Sequence, residues 1–147
     1  MNNDISPLII IGAGPAGGSA ALFTAKAGKK TVILDSNTSA TKRAWLENHY
    51  GVAEISGADL VETGLAQAKK FGAERIETKA GTEPRVKTIF AVDAAGKTNV
   101  EGIWAAGTCA GVSVHTIITA GDGAKVAINL ISELNGERYV DHDVLKK

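Results

Sequence analysis

The sequence predicts an α/β fold: a Rossmann-like single domain of three layers around a central parallel sheet. Two observations predict it. The branched apolar run Leu8-Ile9-Ile10-Ile11 enters Gly12-Ala13-Gly14-Pro15-Ala16-Gly17, a Gly-x-Gly-x-x-Gly turn. A second apolar run, Thr31-Val32-Ile33-Leu34, follows an alanine-rich stretch and ends on Asp35. Strand, glycine turn, helix and strand ending in an acid are the parts of a dinucleotide-binding βαβ unit.

Each part has a physical reason. The run at 8–11 has no polar alternation and fits a strand buried on both faces. Gly12 permits the tight turn, Gly14 opens the backbone to a pyrophosphate, and Gly17 lets the next helix approach the sheet. Pro15 suits a first helical turn, because its missing N–H would have no partner there anyway. The predicted helix runs from Pro15 to Lys26, with Gly28 as a left-handed stop. Its N–H groups and dipole favour an anion. Asp35 is placed to accept hydrogen bonds from a ribose. The residues alone leave NAD or another adenine nucleotide open, as they do a βαβ unit whose glycines serve only packing.

Composition narrows the class. The 147 residues suit one domain, with 44% hydrophobic residues to build a core. Sixteen basic and sixteen acidic residues give zero formal net charge, so no basic excess points to nucleic acid. No apolar run approaches the ~20 residues of a membrane span. The lead-in 1–6 is polar and lacks a basic, signal-like start. A single cysteine, Cys109, excludes an intrachain disulfide and suits the cytoplasm.

Onward from Asp35, residues 36–56 read as a binding loop or a surface loop pinned by Trp45 and Tyr50. Ser56-Gly57-Ala58-Asp59 reads as a capping box with Asp for Glu, opening a helix that Gly72 ends. A short strand is predicted at 74–78. The apolar segment 88–92 reads as a strand able to form a hairpin with 97–100 across the turn Asp93-Ala94-Ala95-Gly96-Lys97. Gly102-Ile103-Trp104-Ala105-Ala106-Gly107 reads as a buried strand. A long helix is predicted from about His115 to Leu134, stopped by Asn135-Gly136. Cys109, in an Ala/Gly-rich segment, reads as a small buried hydrophobe.

Three blocks in order resemble the FAD-binding domain of thioredoxin reductases, a family of flavoproteins with two dinucleotide domains. They are Ile10 to Gly17; Glu47-Asn48-His49-Tyr50-Gly51 with Ile55-Ser56-Gly57 and Lys70 to Glu74; and Thr98, Gly102 to Gly107 and Ile117 to Ala124. The resemblance covers about 7–79 and 88–136. It implies one FAD-binding domain over 1–147, joined at 80–87 and ending in a polar tail, 137–147. The family's inserted NADPH domain, with its second glycine motif and its Cys-x-x-Cys, has no counterpart here.

The resemblance carries residues over one at a time. Gly12, Gly14, Pro15, Ala16 and Gly17 would hold the FAD pyrophosphate, and Asp35 the adenosine ribose. Asn48 falls on an asparagine close to the flavin, and Lys42 and Arg43 on a loop passing the cofactor. Gly107 and Thr108 fall on the family's Gly-Asp pair, Thr108 replacing the acid. Threonine keeps a hydroxyl and loses the charge. His115 and Thr116 open the last helix beneath the flavin. There the dipole would stabilise negative charge on reduced flavin, and His115 is the possible catalytic neighbour. No catalytic residue is otherwise assigned, and no metal is expected. The implied function is redox or electron transfer, with electrons from a separate reductase or transient NAD(P)H. A non-catalytic FAD- or nucleotide-binding module, a sensor or partner subunit, is the alternative. Trp45, His49 and Tyr50 line either the cofactor face or an interface, and a homodimer is expected because a missing covering domain exposes apolar surface.

Overall fold

A computed structural model describes residues 6–78 and 89–141. Strand β1 (Leu8–Ile11) leads through the glycine turn to helix α1 (Pro15–Lys26), and β2 (Thr31–Asp35) follows. A 3-10 turn at Ala40–Arg43 and a two-stranded antiparallel ribbon, β3 (Trp45–Leu46) with β4 (Ile55–Ser56), precede α2 (Gly57–Lys70). Then come β5 (Glu74–Glu77), a 3-10 turn at Gly107–Ala110 and α3 (Thr116–Asn135). The main sheet is parallel in the order β1-β2-β5, with Ile11, Leu34 and Ile76 in one row.

The predicted α/β architecture stands. α1 starts and ends where the sequence places it, and Gly28 takes φ +75° beyond its end. Ser56 caps α2 by accepting the Asp59 N–H at 3.0 Å, leaving its hydroxyl to donate to the Asp59 carboxylate at 2.7 Å. Gly72 and Gly136, at φ +97° and +71°, close α2 and α3.

The core lies between the sheet and the first two helices. Ile33 of β2 is sealed by Ala21 and Ala25 of α1 and by Val61, Leu65 and Ala68 of α2. Small residues on α1 let that helix sit close to the strands. α3 packs against α1, with Val126, Ala127 and Ile131 buried. The crossing is tight, because a Cβ on Gly123 would collide with the Ala16 carbonyl.

Five expectations change. β1 is buried on one face only: Ile9 is 61% and Ile11 85% exposed. The cause is that neither 89–92 nor 102–107 joins the sheet among the described residues. Segment 102–107 folds back locally instead. The Ile103 carbonyl accepts the Thr98 N–H and hydroxyl, the Ile103 N–H donates to Val100, and Trp104 bridges Lys97. The Lys97 ammonium lies over the Trp104 ring and also pairs with Glu133 of α3. The turn at 93–97 forms as read, with the Asp93 carboxylate accepting the Ala95 and Lys97 N–H groups at 2.9 Å. Among the described residues the hairpin expected between 88–92 and 97–100 does not form, and Phe90 donates its N–H to Cys109 instead. Trp45 and Tyr50 do not pin their loop, being 61% and 92% exposed. Cys109 is exposed, its thiol donating to the Ala106 carbonyl. The junction 80–87, Thr88 and residues 142–147 of the tail lie outside the described residues.

Candidate functional site

The site is built where α1 begins. Gly12 adopts φ +94°, the left-handed region that a side chain disfavours, and so turns the chain out of β1. A Cβ on Gly17 would strike the Gly12 carbonyl, so only glycine lets this turn close. A Cβ on Gly14 would meet only the Ser39 hydroxyl, 3.2 Å away. The gap between Gly14 and Ser39 is thus a cradle that any side chain on residue 14 would fill. No side chain caps α1. Pro15 has no N–H, which leaves the Ala16 and Gly17 donors facing out of the helix end.

A second helix, α3, passes the same place. Gly107, at φ +75°, turns its Cα toward the methyl of Ala16, where a Cβ would sit 2.7 Å away. The Thr119 side chain lies beside it and Gly123 crosses just beyond. α3 likewise lacks a side-chain cap, since the His115 imidazole accepts from or donates to the Ser113 hydroxyl at 2.7 Å. The uncapped N-terminus of α1 therefore lies at Ala16 at the carboxyl ends of parallel strands, while α3 crosses Ala16 at Gly123, about 10 Å along its axis from its own uncapped N-terminus.

Two polar contacts fix this geometry. Asp122 of α3 accepts the Gly107 N–H at 2.8 Å and pairs with Lys125 at 2.7 Å. Burial alone would raise its pKa, but the Gly107 N–H and Lys125 more than offset that and hold the carboxyl below its ordinary value. His49 Nδ1 shares a 2.9 Å hydrogen bond with the Thr116 hydroxyl. It ties the 47–52 loop to the first residue of α3. A cavity of about 140 Å³ lies beside it, bordered by Gly14, Pro15, Gly18, Leu60, Gly64 and His49.

The predicted residues thus fall in two groups. Gly12, Gly14, Pro15, Gly17 and Gly107 come together around Ala16, and Thr116 joins them only through His49, which borders the cavity. Thr108 and His115 are exposed on the rim, and Asn48 is exposed on the adjoining loop. Asp35 and Lys42 form a second group at the end of β2. The Asp35 side chain is only 4% exposed and receives two Arg75 N–H groups and the Asn37 N–H. Lys42 is held by Glu62 and Asn37. Ser39 lies between the groups, so the full set is a strip along the top of the sheet.

Family comparisons match this geometry. The family described as FAD binding domain matches residues 8–45, from β1 through the glycine turn to Trp45. The chain carries a thioredoxin reductase-like FAD domain. The thioredoxin reductase of Aquifex aeolicus is 41% identical over 103 residues, 62% of this chain and 31% of that protein. That of Listeria monocytogenes is 42% identical over 73 residues, 48% of this chain and 23% of that protein. This chain therefore spans under a third of the length of these relatives. The fold is also that of a thioredoxin reductase structure from Gloeobacter violaceus, with a TM-score of 0.79 over 95% of this chain and 98% of that one, at 16% identity.

FAD is the cofactor of this domain type, and the residues present fit it: a glycine cradle and free helix-end donors suit a pyrophosphate. Three contributors to the FAD domain escape a reading of the sequence alone. Arg75 covers Asp35 from a strand 40 residues away, and His49 latches Thr116 across 67. Gly57 lets the 3-10 turn lie against α2, because a Cβ there would strike the Thr41 carbonyl. Gly123 and Gly57 did leave a signal, since glycine inside a helix costs up to about 1 kcal/mol and calls for a packing reason.

Proposed function

We propose that this chain is an FAD-binding domain that passes electrons through bound FAD. The observation that carries the reading is the uncapped N-terminus of α1 beside the glycine cradle, with the uncapped α3 tied to the adjoining cavity through Thr116 and His49. Gly12 to Gly17 and Ser39 would hold the pyrophosphate, and the Thr116 and Ile117 N–H groups, unused within α3, with Thr108 and His115, would serve the flavin end. FAD supplies the electron-accepting chemistry, while the protein supplies position and a positive helix end that favours the reduced, more negative form. Among the described residues Cys109 is the only cysteine, so no dithiol relay adjoins the site. Electrons then come from a separate reductase or from NAD(P)H bound transiently. The chain works in the cytoplasm as a homodimer.

One observation favours a second reading, a non-catalytic FAD- or nucleotide-binding module. Asp35 is enclosed by Arg75 and Asn37, and Thr108 has no charge to offer, so both ends of the strip grip a cofactor less than an exposed carboxylate would.

The visible spectrum of the purified protein, with release and mass of any bound cofactor, tests the reading. Near-stoichiometric FAD that is bleached anaerobically by NAD(P)H or by an added flavin reductase supports it. FAD that no donor reduces moves the assignment to the second reading. A colourless protein that takes up no added FAD overturns both.

A further inference from the structure

We propose that the cavity between α1 and α2 is a binding site for one small, uncharged aromatic ring carrying a hydroxyl or amide group. Each helix opens the cavity with a glycine. Gly18 of α1 and Gly64 of α2 both border this space of about 140 Å³ beside the glycine cradle.

Those two glycines have no packing reason within the chain. Glycine inside a helix is disfavoured against alanine, so each one calls for a cause. At Gly17, Gly57 and Gly123 the cause is close approach, since a Cβ would strike backbone. At Gly18 and Gly64 a Cβ would meet nothing within 4 Å. Gly121 has the same freedom, but it is exposed and does not border the cavity. Gly18 is buried and Gly64 half-buried, and the room that both leave is one space. What fills that space comes from outside the chain.

Size and lining decide the occupant. Apolar cavities of about 150 Å³ accept benzene, whereas pockets for drug-sized ligands begin at about 300 Å³. One six-membered ring therefore fits, and the three fused rings of a flavin do not. No Asp, Glu, Lys or Arg borders the cavity, so a charged ligand would be buried there without a partner. Leu22, Leu60 and Val61 supply apolar walls. The polar groups are few and unused. Among the described residues, the Ser19 hydroxyl and the Gln67 amide have no hydrogen-bond partner, and His49 uses only its Nδ1, on Thr116. A single donor or acceptor on the ring answers them. Ser19 and His49 are half-buried and Gln67 is exposed, which gives the ring a way in from solvent.

The test is a titration of the full chain with phenol and with benzamide, read on backbone amide NMR signals. Each is expected to saturate with a dissociation constant on the order of 1 mM, with the largest shifts at Gly14, Gly18 and Gly64. Benzoate, of the same size but charged, is expected to give no saturable shift. Gly18→Ala combined with Gly64→Ala places two methyl groups in the space without touching the chain. That variant is expected to bind phenol at least about tenfold more weakly while unfolding at a higher urea concentration. Shifts that do not saturate, shifts centred elsewhere, equal binding of benzoate, or a double alanine variant that binds phenol like the wild type would overturn the proposal. If the variant does not fold, the wild-type shift map and the benzoate arm decide. Ring binding does not depend on bound flavin: cofactor content is measured on the same sample, and a colourless protein that binds phenol overturns the flavin reading alone.

Discussion

Replacing Gly17 by alanine tests the turn on which the site depends. The added Cβ would lie about 1 Å inside the 3.0 Å closest approach that real Cβ atoms keep, and the obstacle is the Gly12 carbonyl, which is backbone. A flexible side chain could swing away, but a carbonyl held between a +94° Gly12 and α1 cannot. Either β1 and α1 separate by about 1 Å or the turn changes shape. Overpacking of this kind costs about 1–3 kcal/mol. It also moves the uncapped helix end, the Ala16 and Gly17 N–H donors, off the cradle. Loss of their two hydrogen bonds to a charged group, at about 1.5 kcal/mol each, weakens FAD binding at least tenfold. Gly18→Ala is the matched control. It lies one residue on in the same helix, and its Cβ would meet nothing within 4 Å. Alanine there gains up to about 1 kcal/mol of helix propensity. Urea unfolding and FAD fluorescence titration of both variants are the assays. A Gly17→Ala protein with wild-type stability and affinity would refute the steric reasoning, as would a Gly18→Ala protein damaged as badly.

Asp122 predicts an acid dependence. Its folded carboxyl titrates below the ordinary 3.8, so its stabilisation is complete above that value and is lost as pH falls through the lower, folded one. In urea unfolding, the gap between wild type and Asp122→Asn should be constant near neutrality and shrink below about pH 4. A gap that widens on acidification would contradict the assignment. The His49–Thr116 bond predicts coupling between loop and helix. A double-mutant cycle of His49→Phe and Thr116→Val should return about 1 kcal/mol in unfolding free energy, and strict additivity would show that the 2.9 Å contact does not bind the two halves.

What was legible in the sequence was what short segments decide for themselves. The α1 boundaries, the Ser56 cap and the Gly72 and Gly136 stops are set by residues within a turn of one another, and they appear where the sequence places them. The glycine cradle was legible for the same reason. Strands are different, because an apolar run becomes a strand only when a neighbour completes its hydrogen bonds. Ile103-Trp104-Ala105-Ala106 has the composition of a buried strand but joins no sheet, and it pairs only locally with Gly96 to Thr98. That same absence exposes Ile9 and Ile11, which makes the two departures one physical event.

The candidate site divides along the same line. Residue types at the glycine turn declare an anion cradle, but nothing local to Asp35 declares that Arg75 will enclose it. That pairing requires β5 to lie beside β2, a fact of topology and not of spacing. The consequence bears on function. A carboxylate already holding three N–H donors can serve a ribose only through a remaining lone pair or after Arg75 moves. On the proposed reading, cofactor affinity in this chain rests mainly on the glycine cradle and the α1 helix end at Ala16. Those are backbone donors whose strength depends on geometry alone, which is why Gly17, Gly107 and Gly123 matter more here than any charged side chain at the site.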